Sequence, residues 1–209
     1  MLSKISNSSA RDLMKVSIGT PSFNQGIYLA RTLASVKAQL VNGELEHIVF
    51  DGGSCDQSVA ILSQQASSTP YLTWISEKDK GQAHAVNKGI LASTGEIIGW
   101  LNSDDVYYHG AIAAILTVFN ENPDVDVVYG MADHIDQNDV FIEEYPTEHW
   151  DAKRLMDTCY ICQPALFFRK KVIAQNGLLD ENLQYCMDYE YWLRLSANGV
   201  KFFYLPQKL

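Results

Sequence analysis

Residues 95–105 of the chain read GEIIGWLNSDD. The apolar run at 96–101 is typical of a strand buried on both faces, as found in parallel sheets covered by helices. It ends in Asn102 and, two residues later, in the adjacent carboxylates Asp104 and Asp105. Open α/β sheets bind ligands outside the carboxyl ends of their strands. This stretch therefore predicts both the type of sheet and the place of its site.

Outward from this stretch, short apolar runs alternate with amphipathic segments, which indicates a parallel sheet covered by helices. Up to about residue 130 we predict strands at 15–20, 46–51, 71–75, 96–101 and 126–129, with helices at 27–39, around Val59 and Leu62, at 82–93 and at 109–121. Beyond it we predict a mixed half, with a hairpin turning at 137–139, a helix at 151–157, a strand at 165–169, a helix at 188–198 and a strand at 202–205. No linker or repeat interrupts the pattern, so we expect a single domain spanning 1–209.

The composition is that of an ordinary globular protein, with 47% hydrophobic and 20% charged residues in 209. Sixteen basic against 25 acidic residues give a net charge of −9, so neither nucleic acid nor an anionic membrane is expected as the main partner. The apolar runs fall short of the roughly 20 residues that span a bilayer, and the first 15 residues do not read as a secretory signal. Four scattered cysteines fit a reducing compartment, so we expect a cytoplasmic protein.

Polar loops follow the first four predicted strands, namely PSFN at 21–24, DGGS at 51–54, EKDKG at 77–81 and NSDD at 102–105. They should converge on one rim of the sheet. Phe23 can stack on a nucleobase or pack against the following helix. Asp51 can accept hydrogen bonds from a base or ribose, or form a turn with Gly52. Lys78 and Lys80 can neutralise phosphate or belong to a solvated loop.

The glycine-rich phosphate loops GxGxxG and GxxxxGK[ST] do not occur in the sequence. A dinucleotide oxidoreductase or a P-loop NTPase would therefore lack its phosphate-binding loop. A diphosphate can instead be held through a divalent cation bound by carboxylates, and Asp104 and Asp105 lie where such a site would form. The alternative for this pair is a solvated turn.

Other candidate residues also have two interpretations. Asp188 begins a predicted helix, where capping explains a carboxylate, whereas near a sugar site it could act as a general base. Cys159 and Cys162 form one CxxC without further ligands at metal spacing, so packing is favoured over redox or zinc chemistry. The five histidines also lack metal-ligand spacing.

Five segments taken in order resemble family 2 glycosyltransferases: VSIGTPSFNQGIYLARTLASVKAQ, EHIVFDGGSCDQS, EKDKGQAHAVNKGI, GEIIGWLNSDD and MDYEYWLRL. These are inverting enzymes with the glycosyltransferase-A fold, and the resemblance covers nearly the whole chain. It implies an α/β fold of the nucleotide-diphospho-sugar transferase type, with a mixed, mostly parallel central sheet and helices on both faces. Its nucleotide-binding half would be about 15–130 and its acceptor-binding half about 131–209.

The resemblance also implies site residues. Nucleotide binding falls to Thr20, Pro21, Phe23, Asp51, Lys80, Gly81, Gln82, Asn87 and Asp104. Asp105 would contact the divalent metal, Mn²⁺ or Mg²⁺. The general base maps to Asp188, although Met187 replaces the first residue of the usual acid pair. Gln163 is the candidate acceptor-binding residue.

The function implied is metal-dependent, inverting transfer of a sugar from a nucleoside-diphosphate sugar, with UDP favoured on family grounds. The acceptor would be a glycan or a lipid-linked hydroxyl in bacterial surface-polysaccharide or related glycan synthesis, with peripheral association at the inner face of the membrane. The chain ends at Leu209, before the basic or histidine-bearing segment of many relatives, so we expect a short or truncated member. Two alternatives stay open: a nucleotidyltransferase making nucleotide sugars, and a non-catalytic nucleotide-sugar-binding domain.

Overall fold

The computed structural model describes residues 14–39 and 45–209. Its strands are β1 (Val16–Ser22), β2 (Leu45–Asp51), β3 (Leu72–Ser76), β4 (Ile97–Trp100), β5 (Val127–Met131), β6 (Asp133–Ile135), β7 (Phe141–Glu144), β8 (Leu166–Arg169) and β9 (Phe202–Lys208). Its helices are α1 (Gly26–Lys37), α2 (Ser58–Ala66), α3 (Gln82–Ala92), α4 (Ala111–Glu121), α5 (Ala152–Asp157), α6 (Lys171–Asn176) and α7 (Met187–Ala197). The expectation about a secretory signal falls on the first 15 residues, of which 1–13 lie outside the described residues.

Seven strands form one sheet in the order β3-β2-β1-β4-β8-β5-β9. β1 to β4 pair in parallel, and so do β5 and β9. β8 runs antiparallel between β4 and β5. The predicted mixed, mostly parallel sheet is therefore confirmed. Both predicted halves contribute to it, because β8 and β9 come from the second half of the chain.

Helices cover both faces of this sheet, as predicted. On one face, α3, α5, α6 and α7 pack against strand residues that include Ile98 and Val127. On the other face, α1 and α4 pack against residues that include Ile97 and Val128, and α2 packs with α1 over Val49. Neighbouring residues of β4 and β5 thus point to opposite buried faces, which explains why both strands are continuous apolar runs in the sequence.

β1 extends two residues beyond its predicted end, through Pro21 and Ser22. The Leu101 N–H donates to Gly19 O, so Gly19 faces β4. Pro21, two residues further on, faces the same side at a point where β4 has already ended at Trp100. Since no partner strand remains there, the missing proline N–H breaks no ladder hydrogen bond.

One helix was not predicted, and the lengths of the helices bear on the prediction that no segment spans a bilayer. α6 has no predicted counterpart, because its six residues are too few to show a helical period and its N-cap Lys170 offers no capping side chain, unlike Asp151 at the equally short α5. Among the described residues, none of the helices is both long and apolar enough to cross a lipid bilayer.

Candidate active site

Two cavities open side by side near the carboxyl ends of the parallel strands. The strand-end cavity, about 750 Å³, is lined by the loops that follow β1, β2, β3 and β4. The hairpin cavity, about 580 Å³, lies between the end of β4, the β6–β7 hairpin and the start of α7. Gln82 and Asn102 line both cavities, so the two spaces meet at these side chains.

The strand-end cavity confirms that the four polar loops converge on one rim. Pro21 and Phe23 contribute from the first loop, and Phe23 is 60% exposed, so its ring is available for stacking. At Gly52 an added Cβ would lie 2.7 Å from a carboxylate oxygen of Asp79 and 3.2 Å from the Phe23 ring. The close approach of the second and third loops to Phe23 therefore depends on a glycine at this position.

The β3–α3 loop presents Lys78, Gly81 and Gln82 to the strand-end cavity. Gly81 has φ +119°, a backbone conformation that side chains with a Cβ disfavour. Lys80 is exposed and is not among the residues lining the strand-end cavity, although the resemblance pointed to it. Lys78 is therefore the lysine of this loop that the structure brings to the site.

Asp51 does not line either cavity, although nucleotide binding was expected of it. It is 2% exposed, and its carboxylate accepts hydrogen bonds from Gly53 N at 3.1 Å, Ser54 N at 2.9 Å and Ser76 Oγ at 2.6 Å. The Ser54 hydroxyl donates to its other oxygen. The geometry thus gives Asp51 the turn-forming contacts, and these hold the second loop in place.

Thr20 and Asn87 are also buried and line neither cavity. The Thr20 hydroxyl lies 2.9 Å from His47 Nε2. The Asn87 amide donates to Leu179 O and accepts from Leu179 N, both at 3.0 Å. These contacts tie β1 to β2 and α3 to the segment after α6, so both residues support the site from below its surface.

The aspartate pair separates between the cavities: Asp104 lines the strand-end cavity and Asp105 lines the hairpin cavity. Helix α1 holds the turn that carries them. The buried Thr32 hydroxyl lies 2.9 Å from Ser103 O and 2.8 Å from Asp105 O. Arg31 Nη2 donates to Asp104 O at 3.2 Å. The backbone of the pair is thereby fixed by two consecutive residues of one helix.

Asn102 connects the two cavities through a hydrogen-bond network. Its Oδ1 accepts from Gln82 Nε2 at 2.8 Å and from Trp100 Nε1 at 2.9 Å. Its Nδ2 donates to Asp105 Oδ2 at 3.0 Å and to Gln163 Oε1 at 2.9 Å, while Gln163 Nε2 donates to Trp100 O. Asn102 is not among the site residues predicted from the sequence. Its position between a buried strand and two carboxylates was the only signal available.

Electrostatics single out Asp105. Burial and, to a smaller extent, the neighbouring Asp104 carboxylate raise the pKa of its carboxyl group to about 6. The hydrogen bond from Asn102 and the charge of Arg31 act in the opposite direction. Because the pKa of Asp105 stays raised despite these two contacts, a further positive charge beside its carboxylate would stabilise the ionised form.

Cys159 and Cys162 are free, half-buried thiols. Burial raises the pKa of the Cys162 thiol to about 12, so it remains protonated near neutral pH. Within the ranges 14–39 and 45–209, His, Cys, Asp and Glu form no group of three or more that could hold a metal ion. These observations favour the packing interpretation of the CxxC.

Asp188 lies in the first turn of α7 and lines the hairpin cavity, as Asp105 and Gln163 do. Of the two interpretations of Asp188, a side-chain N-cap is not what the structure shows, because the N-cap is Cys186, with φ +56° and without a side-chain capping bond. Glu190 faces elsewhere, as expected, and pairs with Arg194 at 2.8 Å. Asp188 is therefore the carboxylate of this turn that faces the cavity.

Arg31 joins the β6–β7 hairpin to the aspartate turn. Its Nη1 lies 2.7 Å from Asp139 Oδ1 and donates to Gln137 O at 3.1 Å. Its Nη2 reaches Asp104 O, as described above. Asp139 lines the hairpin cavity, so one guanidinium group positions walls of both cavities.

The sheet order, the aspartate pair at the end of β4 and the two adjoining cavities define the glycosyltransferase-A class of folds. The chain belongs to glycosyl transferase family 2, whose family model matches residues 17–177. Both statements confirm the expectation drawn from the five sequence motifs.

Relatives of known sequence support this membership. The chain is 33% identical over 136 residues to an uncharacterized glycosyltransferase of Nostoc sp., with 65% of this chain and 42% of the relative covered. It is 26% identical over 196 residues to chondroitin synthase of Escherichia coli, with 94% of this chain and 28% of the relative covered. The chain thus spans less than half the length of either relative.

Solved structures show the same fold at low sequence identity. S. aureus TarS 1-349 in complex with UDP-GlcNAc superposes with a TM-score of 0.77 at 20% identity, covering 93% of this chain and 57% of that one. The Pyrobaculum calidifontis mannosyltransferase PcManGT, in complex with GDP-Man and Mn²⁺, gives 0.71 at 17% identity, covering 93% and 55%. The likeness confirms the predicted fold.

Proposed function

We propose that the chain transfers a sugar from a nucleoside-diphosphate sugar to an acceptor hydroxyl, with a divalent metal and with inversion at the anomeric carbon. The observation that carries the proposal is the meeting of two cavities at Gln82 and Asn102, with Asp104 in one wall and Asp105 in the other. Such an arrangement places a donor and an acceptor on either side of one charged turn. Membership of glycosyl transferase family 2 supports the reaction class.

The strand-end cavity is the donor site in this proposal. Its volume lies within the roughly 300–1,000 Å³ of small-molecule sites. The exposed Phe23 ring offers a stacking surface for a base, and Lys78 offers a positive charge for a diphosphate. UDP is the nucleotide of first choice, supported by the TarS structures with UDP and UDP-GlcNAc.

The residues present fit a divalent cation at the aspartate turn. Burial first and the neighbouring Asp104 carboxylate second raise the pKa of Asp105, so a cation beside this group would stabilise its charged form. Carboxylate oxygens are the donors that Mg²⁺ and Mn²⁺ prefer. Asp105, with Asp104 beside it, would hold the ion, which supplies positive charge for the departing diphosphate when bound. The Mn²⁺ in the PcManGT complex supports this assignment.

The hairpin cavity is the acceptor site in this proposal. Asp188 takes the proton from the acceptor hydroxyl as that oxygen attacks the anomeric carbon. The bond to the nucleoside diphosphate breaks on the opposite face of the sugar, so one displacement inverts the configuration. Gln163, fixed by Asn102 and Trp100, contacts the acceptor from the floor of the cavity. We propose that the acceptor is a glycan or a lipid-linked hydroxyl, and that transfer takes place at the cytoplasmic face of the membrane in polysaccharide synthesis.

A melting-temperature panel tests the donor site. UDP, GDP, dTDP and ADP are each added with and without Mn²⁺, since a ligand at 100 times its dissociation constant adds about 2.7 kcal/mol of stability. We expect a Mn²⁺-dependent shift with UDP that is lost in Asp105→Ala. The matched control is Asp124→Ala, which removes an exposed aspartate paired with Lys201 outside both cavities. Absence of a nucleotide shift with any of the four contradicts the proposal.

A further inference from the structure

We infer that the acceptor is an uncharged sugar and that the hairpin cavity discriminates against acceptors carrying a carboxylate or phosphate. This inference rests on the proposed function, because it describes the second substrate of the same site. Its starting point is a difference in charge between the two cavities. Lys78 lines the strand-end cavity, whereas the described residues lining the hairpin cavity include no lysine or arginine.

Negative charge in the hairpin cavity comes from four aspartates, Asp105, Asp133, Asp139 and Asp188. His134 is the titratable base in the same lining, and its Nδ1 lies 3.3 Å from Glu143. An anionic ligand in this cavity would therefore meet carboxylates, and one histidine that already lies beside a carboxylate.

The cations nearest to these aspartates are already paired. Lys208 Nζ lies 2.7 Å from Asp133 and 3.4 Å from Glu144, and it also faces the Phe141 ring at 5.6 Å. Arg31 is occupied by Asp139 and by two backbone carbonyls. Neither cation lines the cavity, so neither is free to bind an acceptor anion.

Two carboxylates, Asp105 and Asp188, have no ion-pair partner within the described parts of the chain. The proposed reaction brings an acceptor hydroxyl to Asp188. Any carboxylate or phosphate on the same sugar then lies within a few ångströms of that aspartate, where like charges repel strongly in a partly dehydrated site. A cation held at Asp105 would offset the charge of the donor diphosphate, which leaves Asp188 as the unpaired carboxylate beside the acceptor.

The remaining lining suits a neutral sugar. Tyr108, Tyr145 and Tyr185 contribute aromatic rings. The Tyr108 hydroxyl already donates to Asp133 and the Tyr145 hydroxyl to Cys159 O, whereas Tyr185 is 84% exposed at the cavity. Tyrosine combines an apolar face with a hydroxyl that donates and accepts hydrogen bonds, which matches the alternating C–H and O–H surface of a sugar ring. Burial raises the pKa of the Tyr145 phenol, so this hydroxyl stays neutral.

Matched acceptor pairs test the inference. Binding of methyl glucoside against methyl glucuronide, methyl galactoside against methyl galacturonide, and N-acetylglucosamine against its 6-phosphate is measured by titration calorimetry with UDP and Mn²⁺ present. We expect the neutral member of at least one pair to bind about tenfold more tightly than its anionic partner, which corresponds to about 1.4 kcal/mol. Equal or tighter binding of the anionic members overturns the inference, and so does failure of every neutral member to bind.

The UDP-dependent melting shift, recorded on the same samples, separates the two proposals. Loss of that shift contradicts the proposed function, whereas an anionic preference with the shift intact contradicts the acceptor inference alone. A charge variant then tests the cause. Gln184→Lys adds a cation to the lining of the hairpin cavity and should raise the relative affinity for anionic members several-fold. Gln64→Lys adds the same charge on exposed α2, outside both cavities, and should leave the ratio unchanged.

An unchanged ratio in Gln184→Lys overturns the inference. An equal change in both variants also overturns it, because the net charge of the protein would then account for the preference. Folding of each variant is checked through its melting temperature without ligand.

Discussion

Asp188 is the residue on which the proposed chemistry depends most. Its side chain faces the hairpin cavity from the first turn of α7, whereas Glu190 on the same turn pairs with Arg194. A carboxamide has nearly the shape of a carboxylate but cannot accept the acceptor proton. The two residues therefore allow catalysis to be separated from the structure of the helix.

We predict that Asp188→Asn retains UDP binding and loses sugar transfer by a factor of about 10² to 10⁴, the usual contribution of a general base. The measurement is transfer to a neutral acceptor, with the UDP melting shift as the reference for donor binding. Glu190→Gln is the matched control and should retain transfer, since it removes an ion pair outside the cavity. Full turnover by Asp188→Asn would remove Asp188 from the role of base.

His47 gives the protein a pH dependence that is independent of catalysis. The residue is buried beside Thr20, and burial lowers the pKa of its imidazole from 6.5 to about 3. The unfolded chain therefore takes up this proton first as the pH falls. Stability contributed by neutral His47 is present above pH 6.5 and is lost between that value and about 3.

We predict that the free energy of unfolding falls less steeply on acidification in His47→Gln than in the parent protein. Loss of one proton taken up on unfolding reduces the slope by up to about 1.4 kcal/mol per pH unit. The measurement is urea unfolding of both proteins between about pH 7 and pH 5. Asp105 titrates in the same range in both proteins, so the difference between the curves isolates His47. Parallel curves would show that His47 is not held neutral.

Residues of the site could be predicted only in part. Phe23, Gly81, Gln82, Asp104, Asp105, Gln163 and Asp188 line a cavity, as their motifs suggested. Thr20 and Asp51 belong to the same motifs but point into the protein, because neighbouring side chains of a strand or tight turn face different ways. Asn102 shows the converse, since only the folded loops bring it to the cavities, and of the two candidate lysines the fold brings Lys78 to the strand-end cavity.

At the scale of elements, the β6–β7 hairpin is the part of the site that packs least against the rest of the chain. Its strand β7 is exposed throughout, and its turn is attached to α1 through Arg31. The turn itself is closed by the Asp136 N–H donating to Val140 O. The turn of the hairpin is therefore attached to α1 through one guanidinium group, whereas Lys208 holds its strands through Asp133 and Glu144.

We predict that Arg31→Gln increases amide hydrogen exchange at residues 136–140 by about fivefold, as expected for loss of about 1 kcal/mol of local stability. Exchange in β1 and β4 should not change. The measurement is hydrogen exchange followed by mass spectrometry. Arg154→Gln, which breaks the Arg154–Glu148 ion pair elsewhere, is the matched control. Unchanged exchange in the hairpin turn of Arg31→Gln would mean that other contacts hold it.

The elements themselves followed from the sequence more fully than the site did. β4 and β5 have an apolar residue on each buried face, and their continuous runs identified them. α6 was missed because its six residues show no period and no capping side chain precedes them, whereas Asp151 marks the start of the equally short α5. β1 was predicted too short because proline normally ends a strand. The pairing of β8 against β4 and β5 has no local signal, since it joins residues about 70 and 40 apart in the chain.

At the scale of the whole molecule, one sheet carries both cavities. The parallel strands β1 to β4 present the loops that we propose bind the donor, while β8 and the chain around it bring Gln163, α7 and the hairpin against the end of β4. The order of motifs was enough to predict the first arrangement. The second depends on contacts between distant segments, so its cavity appears only in the folded chain.

The central claim is that a nucleoside diphosphate and a divalent metal bind at the carboxyl-end loops of the sheet. Hydrogen exchange of the protein with and without UDP and Mn²⁺ tests it most directly. We predict protection in the loops at 22–25, 52–54, 78–82 and 102–105, and none at the groove of Leu91, Glu96 and Lys170 at the opposite end of β4. Protection confined to that groove, or absent from all four loops, would contradict the account.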